Sequence, residues 1–170
     1  GVDNDGDLGS LGTGVAGVDV ELYADTNVDG LFTPGVDAYL GVTTTNDTGY
    51  YTFTQLTVGS YVVVITGTNF TVGGPLASYR SSTPTSLTPN NDVNEDDNGE
   101  ETLLAGLPQY VASRAVALTV NGEPVNDNAP ASDPFADSDD NSNYSIDFGF
   151  FQLVLGDVVW DDVNNNGAFD

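Results

Sequence analysis

The stretch Val18-Asp19-Val20-Glu21-Leu22-Tyr23 places Val18, Val20 and Leu22 on one face and Asp19, Glu21 and Tyr23 on the other. A period of two is typical of a β-strand with one buried face. Similar runs recur near residues 39–45, 49–54, 60–66, 115–120 and 145–151, with Gly, Asn, Asp and Pro between them. Short strands at this spacing predict an all-β sandwich.

The composition allows a folded domain but imposes a large charge. The chain has 170 residues and 39% hydrophobic content, which is enough for one domain with its own core. Asp and Glu total 26 against two arginines, so the formal net charge is -24. That many carboxylates oppose compaction unless cations neutralise them. Because Asp and Asn recur with Gly in short clusters where oxygens can converge, we predict bound cations.

The clearest of these clusters consists of Asp25, Asn27, Asp29, Gly30 and Leu31. These residues fall at positions 1, 3, 5, 6 and 7 of a calcium loop, where side-chain oxygens alternate, glycine makes the sharp turn and position 7 contributes its carbonyl. Position 12 is Val36, so we predict that Asp37, one residue later, is the closing carboxylate. The alternative is a solvated hairpin loop.

The last nine residues match most of a second calcium loop. Its positions 1, 3, 5, 7 and 9 are Asp162, Asn164, Asn166, Ala168 and Asp170. Gly167 stands at position 6. If a second copy followed directly, Asp3 would supply the carboxylate at position 12. We therefore expect this site to close across a junction between copies, with Asp5 and Asp7 extending it.

The composition also excludes several partners and most catalytic chemistry. With no Lys, no His and only two arginines, the chain cannot neutralise a nucleic-acid backbone, and no apolar stretch reaches the about 18 residues of a membrane span. Without Cys, His or Lys, only a carboxylate pair could act catalytically, and most Asp residues lie in calcium-like spacing. We expect no enzymatic activity. Millimolar calcium outside cells would fill even weak sites, so we expect an extracellular or cell-surface location.

Three motifs together resemble a known family. Residues 49–63 fit G-x-Y-x-F-x-x-L-x-x-G-x-Y-x-V, residues 156–167 fit G-D-x-V-W-x-D-x-N-x-N-G, and residues 147–150 are Asp-Phe-Gly-Phe. The combination resembles the calcium-binding B repeats of Sdr-type bacterial surface proteins, which are related to the Cna-B domains of surface adhesins. The resemblance implies a transthyretin-like β-sandwich rigidified by calcium. The lysine-dependent isopeptide bond of many Cna-B relatives is impossible here, because the chain has no lysine.

The resemblance also pairs two acidic runs that lack the full loop spacing. The first run lies within residues 67–106, a long excursion between predicted strands that we expect bound metal to order. Divalent ions between the two runs would convert repulsion into coordination. An acidic flexible loop is the alternative. The expected ligands are Asp92, Asn94, Asp96 and Asp97 from the first run, and Asp137, Asp139 and Asp140 from the second. Several Ca²⁺ per chain are therefore expected.

The order of the motifs implies a permuted module. In the family G-D-x-V-W opens the module, whereas here it stands at the chain end. Residues 1–151 would form a sandwich lacking its own first strand, and residues 152–170 would provide the first strand and calcium loop of the next module or of a neighbour. We expect residues 153–160 to complete the sandwich of the following copy, so the partners are copies of the chain arranged head to tail. The expected function is a calcium-rigidified subunit or repeat of an extracellular fibre or cell-surface stalk; the alternative is an adhesin module that binds a host or glycan ligand.

Overall fold

The computed structural model describes residues 14–84, 86–91, 96–125, 140–153 and 155. Their regular secondary structure is β except for one 3-10 turn at Gly67–Phe70, which confirms the predicted all-β, sandwich-like fold. No helix among them is long and apolar enough to cross a membrane. The strands are β1 (Asp19–Ala24), β2 (Ala38–Thr44), β3 (Gly59–Thr66), β4 (Tyr79–Ser81), β5 (Glu100–Leu104), β6 (Leu107–Ala112), β7 (Val116–Leu118) and β8 (Phe150–Gln152).

Six strands form one antiparallel sheet in the order β2-β1-β3-β6-β5, with β7 also paired to β3. The start of β3 pairs with β7 and its end pairs with β6, so β3 lies at the centre. Its residues 61–65 are all buried, because both faces of the sheet are covered at this strand. The register of β1 against β3 sets Val20 opposite Ile65 and Leu22 opposite Val63, which aligns the side chains of the main core.

The second layer of the sandwich contains little regular structure. Its only described sheet is the pair β4 and β8. Tyr51, Phe53, Ile146 and Phe148 also pack against the main core, but they come from segments outside any strand. The predicted strand at residues 49–54 is therefore wrong, and the one predicted at residues 145–151 is confirmed only at its end, where β8 begins at Phe150. Within the described part of the chain, residues 51–58 make no backbone–backbone hydrogen bond, so the alternating side chains are present without a paired ladder.

The excursion at residues 67–106 contains structure that the sequence pattern missed. It includes β4, β5 and the fully buried Leu76, whose N–H donates to the carbonyl of Asn69 at 3.0 Å. Arg80 on β4 contacts Glu101 on β5 through its guanidinium at 2.6 Å, which ties the second layer to the large sheet. Packing and this ion pair therefore fix the described parts of the excursion.

We predict that Leu76→Ala lowers the free energy of unfolding by about 2–5 kcal/mol, because it leaves a cavity in the core. Val72→Ala is the matched control, since Val72 lies in the same segment and is fully exposed; its effect should stay within about 0.5 kcal/mol. Equilibrium urea unfolding measures both. Equal effects of the two substitutions would contradict the packing of this segment against the core.

Candidate cation loop and apolar groove

The hairpin loop between β1 and β2 wraps around the carboxylate of Asp25. Oδ1 of Asp25 accepts the N–H of Asp29 at 3.2 Å, and Oδ2 accepts the N–H of Gly30 at 3.1 Å. Gly30 has a φ of 79°, in the left-handed region that favours glycine. The glycine that the sequence analysis placed at the sharp turn therefore makes one, and the turn directs two N–H groups at the first predicted ligand.

Asp37 organises the other end of the same loop. Its Oδ1 accepts the N–H of Thr26 at 3.1 Å, and its Oδ2 accepts the N–H of Thr33 at 2.7 Å. Asp25 and Asp37 are both buried. The residue predicted to close the loop thus holds together its beginning and its middle.

Asp29 is exposed between these two carboxylates. Its Oδ1 accepts the N–H of Leu31 at 2.9 Å, and its Oδ2 accepts the side-chain amide of Asn27 at 2.7 Å and the hydroxyl of Thr33 at 3.0 Å. The Leu31 hydrogen bond is the largest cause that lowers the pKa of Asp29. Hydrogen bonds to the ionised form keep this carboxylate charged.

The loop carries three carboxylates, Asp25, Asp29 and Asp37, within a short stretch of sequence. No Lys or Arg occurs in residues 25–37, and each carboxylate oxygen that accepts one N–H retains a further lone pair. Within the described ranges, no group of three His, Cys, Asp or Glu side chains converges as a metal cluster. A cation at this loop would therefore also draw on neutral oxygens, for which the amide of Asn27 and the carbonyl of Leu31 are the candidates that a calcium loop uses.

An aromatic anchor fixes the loop to the outer face of the large sheet. The Phe32 ring packs 4.7 Å from the Tyr23 ring and 5.0 Å from the Tyr110 ring, measured between centroids. The carbonyl of Gly30 accepts the N–H of Ala115 at 3.0 Å. The sequence analysis missed this anchor; the signal was the apolar pair at residues 31–32 inside an otherwise acidic loop.

The described part of the third predicted site is built around a buried carboxyl. Asp97 is fully buried and its Oδ1 accepts the N–H of Gly99 at 2.9 Å. Burial raises the pKa of Asp97 to about 6, with a smaller contribution from the charge of Asp96. The Asp96 carboxylate accepts hydrogen bonds from the side chains of Asn91 and Asn98. These contacts give both carboxyls structural partners within the protein.

The two acidic runs approach each other through their flanks. Asn98 and Asp147 exchange hydrogen bonds of 3.0 Å, and the amide of Asn143 donates to Oδ1 of Asn90 at 2.9 Å. The backbone carbonyl of Asp140 instead accepts the N–H of Glu123. The remaining predicted ligands lie outside the described residues and stay predictions: Asp3, Asp5, Asp7, Asp92, Asn94, Asp137, Asp139, Asp162, Asn164, Asn166, Ala168 and Asp170.

A second candidate site is an apolar groove of about 750 Å³ between the large sheet and the second layer. Core side chains of β1 and β3 line it, including Val20, Leu22 and Val63. Residues 48–58 and residues 141–150 border it. An empty, sealed cavity lowers the free energy of unfolding by about 24 cal/mol per Å³, so one of this size would lower it by roughly 18 kcal/mol. That is more than the whole free energy of unfolding of a typical domain. The groove is open to solvent, so its apolar lining is available to an apolar segment.

Comparison with protein-family models, curated proteins and solved structures found no match to the chain. The proposals below therefore depend on the geometry of the loop and the groove.

We predict that Gly30→Ala lowers the free energy of unfolding by about 1–2 kcal/mol, because an L-residue is strained in the left-handed region. Gly41→Ala on β2 is the matched control: a Cβ at either glycine meets nothing within 4 Å, but only Gly30 has a positive φ. The control should be neutral or slightly stabilising. Urea unfolding in chelator tests the pair, and equal effects would contradict the turn geometry.

Proposed function

We propose that this chain is a calcium-rigidified structural subunit or repeat of an extracellular fibre or cell-surface stalk. The observation that carries the proposal is the loop at residues 25–37. Two buried carboxylates, Asp25 and Asp37, are oriented there by backbone N–H groups, and a third, Asp29, is exposed on the same loop. Oxygen-only ligands in such a loop suit a hard cation, and Ca²⁺ is the one that uses this spacing.

The ion pairs of the chain support the need for an external cation. Arg80 pairs with Glu101 and Arg114 pairs with Glu100, at 2.6 Å and 3.0 Å. These are the only Lys or Arg side chains in the sequence, and both pair with β5. None is left for the carboxylates of the hairpin loop, so divalent ions are the means by which the chain would offset its charge.

The proposed assembly is head to tail, with residues 152–170 of one copy joining the next. Two features support it: the apolar groove in the second layer, and the exposure of Leu153 and Leu155 directly after β8. Donor and acceptor surfaces differ in such a contact, so it need not close and would give a linear fibre. An extracellular location follows from the same proposal, because calcium is abundant there.

We predict that chelation destabilises the folded protein. At a calcium concentration 100 times the dissociation constant, each independent site would add about 2.7 kcal/mol. For a chain of this length that is a fall in Tm of about 5–10 °C per site on chelation. Thermal melting in calcium and in excess chelator measures it, with magnesium as the comparison ion. An unchanged Tm after verified metal removal would contradict a structural role for calcium.

We predict that Asp25→Asn with Asp29→Asn removes one calcium site from the stoichiometry measured by isothermal titration calorimetry. Each substitution keeps the side-chain size and one of the two side-chain oxygens, and together they remove two charges from the loop. The matched control is Asp19→Asn with Asp47→Asn, which removes two charges from exposed positions outside the loop. The control should retain the parent stoichiometry. If both double variants bind as the parent does, the loop is not an ion site.

A further inference from the structure

We propose that the apolar groove is the acceptor site for a β-strand from a second copy of this chain, and that residues 51–57 are the edge with which that strand pairs. This inference rests on the proposed head-to-tail assembly and identifies where in the fold the joining segment binds. The occupant is the segment at residues 153–160 of the donating copy.

The first supporting observation is an unpaired backbone edge beside the groove. Residues 51–58 make no backbone–backbone hydrogen bond within the described ranges. The segment is nevertheless held in place by its side chains, since the hydroxyl of Tyr51 donates to the carbonyl of Ile146 at 2.8 Å and Phe53 packs on the main core. A positioned segment with available N–H and C=O groups is a template for an added strand.

The second observation is the apolar surface that an added strand would cover. Apolar side chains that line the groove are exposed there: Leu56 is 36% exposed, Val58 65% and Val120 69%. Aromatic side chains from both borders, including Tyr51 and Phe148, complete the lining. An extended segment bound here would gain backbone hydrogen bonds from the edge and bury its inward side chains against the core.

The third observation concerns the segment that follows β8. Leu153 is 79% exposed and Leu155 is 104% exposed, so two leucines at strand spacing stand in solvent. Residues 153–160 also include Val154, Val158, Val159 and Trp160. Fully extended, the segment would span about 26 Å at 3.3 Å per residue, which matches the run at residues 51–58 in number of residues. Exposed leucines at the start of an apolar segment and exposed apolar side chains along the groove are therefore present in the same chain.

The exposure of Leu153 and Leu155 favours insertion into the groove of a second copy over insertion into the groove of the same copy. Phe150 of β8 lines the groove, but by Leu153 the chain has left it. Leu153 and Leu155 are exposed and do not line the groove of their own copy, so these two side chains are available to another copy.

A disulfide-trapping experiment on the full chain tests the acceptor edge. The chain has no cysteine, so Leu155→Cys can be combined with Thr52→Cys, Thr54→Cys or Thr57→Cys to sample the register. Oxidation in calcium should give a ladder of covalent oligomers on a non-reducing gel for at least one pair. The matched control combines Leu155→Cys with Thr43→Cys on β2, which should give no ladder. Internally cross-linked monomers would show self-insertion and overturn the proposal.

A charge substitution on the donor segment provides the second test. Leu153→Asp with Leu155→Asp should raise the concentration for half-maximal assembly by about a hundredfold, since two buried leucines are lost. Leu104→Asp with Leu107→Asp is the matched control, because these exposed leucines flank the β5–β6 turn. Light scattering and electron microscopy in calcium measure assembly. Fibres that persist in the donor variant overturn the groove assignment and leave the proposed function intact; a parent chain that remains monomeric overturns both.

Discussion

The excess of carboxylates is the main electrostatic constraint on this fold. The chain carries 26 acidic side chains against two arginines, and both arginines are committed to Glu100 and Glu101 on β5. The described buried carboxylates are instead stabilised by backbone N–H groups: Asp25 and Asp37 each accept two, and Asp97 accepts one from Gly99. Hydrogen bonds of this kind favour a charged carboxylate but do not cancel its charge. The fold therefore leaves a net negative charge that bound cations would reduce.

The hairpin loop connects this charge to the packing of the sheet. Its carboxylates face N–H groups within the loop, while Phe32 on the same loop packs between Tyr23 and Tyr110 on the outer face of the sheet. Val62 and Val64 of β3 are buried beneath this aromatic cluster. Because the loop covers one face of the central strand, a cation that ordered the loop would also stabilise the packing of the sheet.

The two layers of the sandwich differ in completeness. The large sheet has six paired strands, whereas the described second layer has the short pair β4 and β8 and side chains from segments outside any strand. The apolar groove lies where the second layer is incomplete. Hydrated apolar surface of this extent is unfavourable, and one added strand would cover it while pairing with a backbone edge.

Local alternation in the sequence determined the strands that pack directly on the core, as at Val18, Val20 and Leu22 in β1 and throughout β3. The turn at Gly30 was likewise predicted from local sequence, by the spacing of Asp25, Asn27 and Asp29 before the glycine. Alternation failed at residues 49–54, where Tyr51 and Phe53 pack on the core as a strand would, but no backbone among the described residues completes a ladder with them. Side-chain periodicity reports burial on one face, whereas a strand also requires a partner at its edge.

Only the tertiary structure decided three other features. The Phe32 anchor and the Arg80–Glu101 contact depend on groups that are distant in sequence. The β5–β6 hairpin depends on a turn at Ala105-Gly106, where alanine has an unusual positive φ.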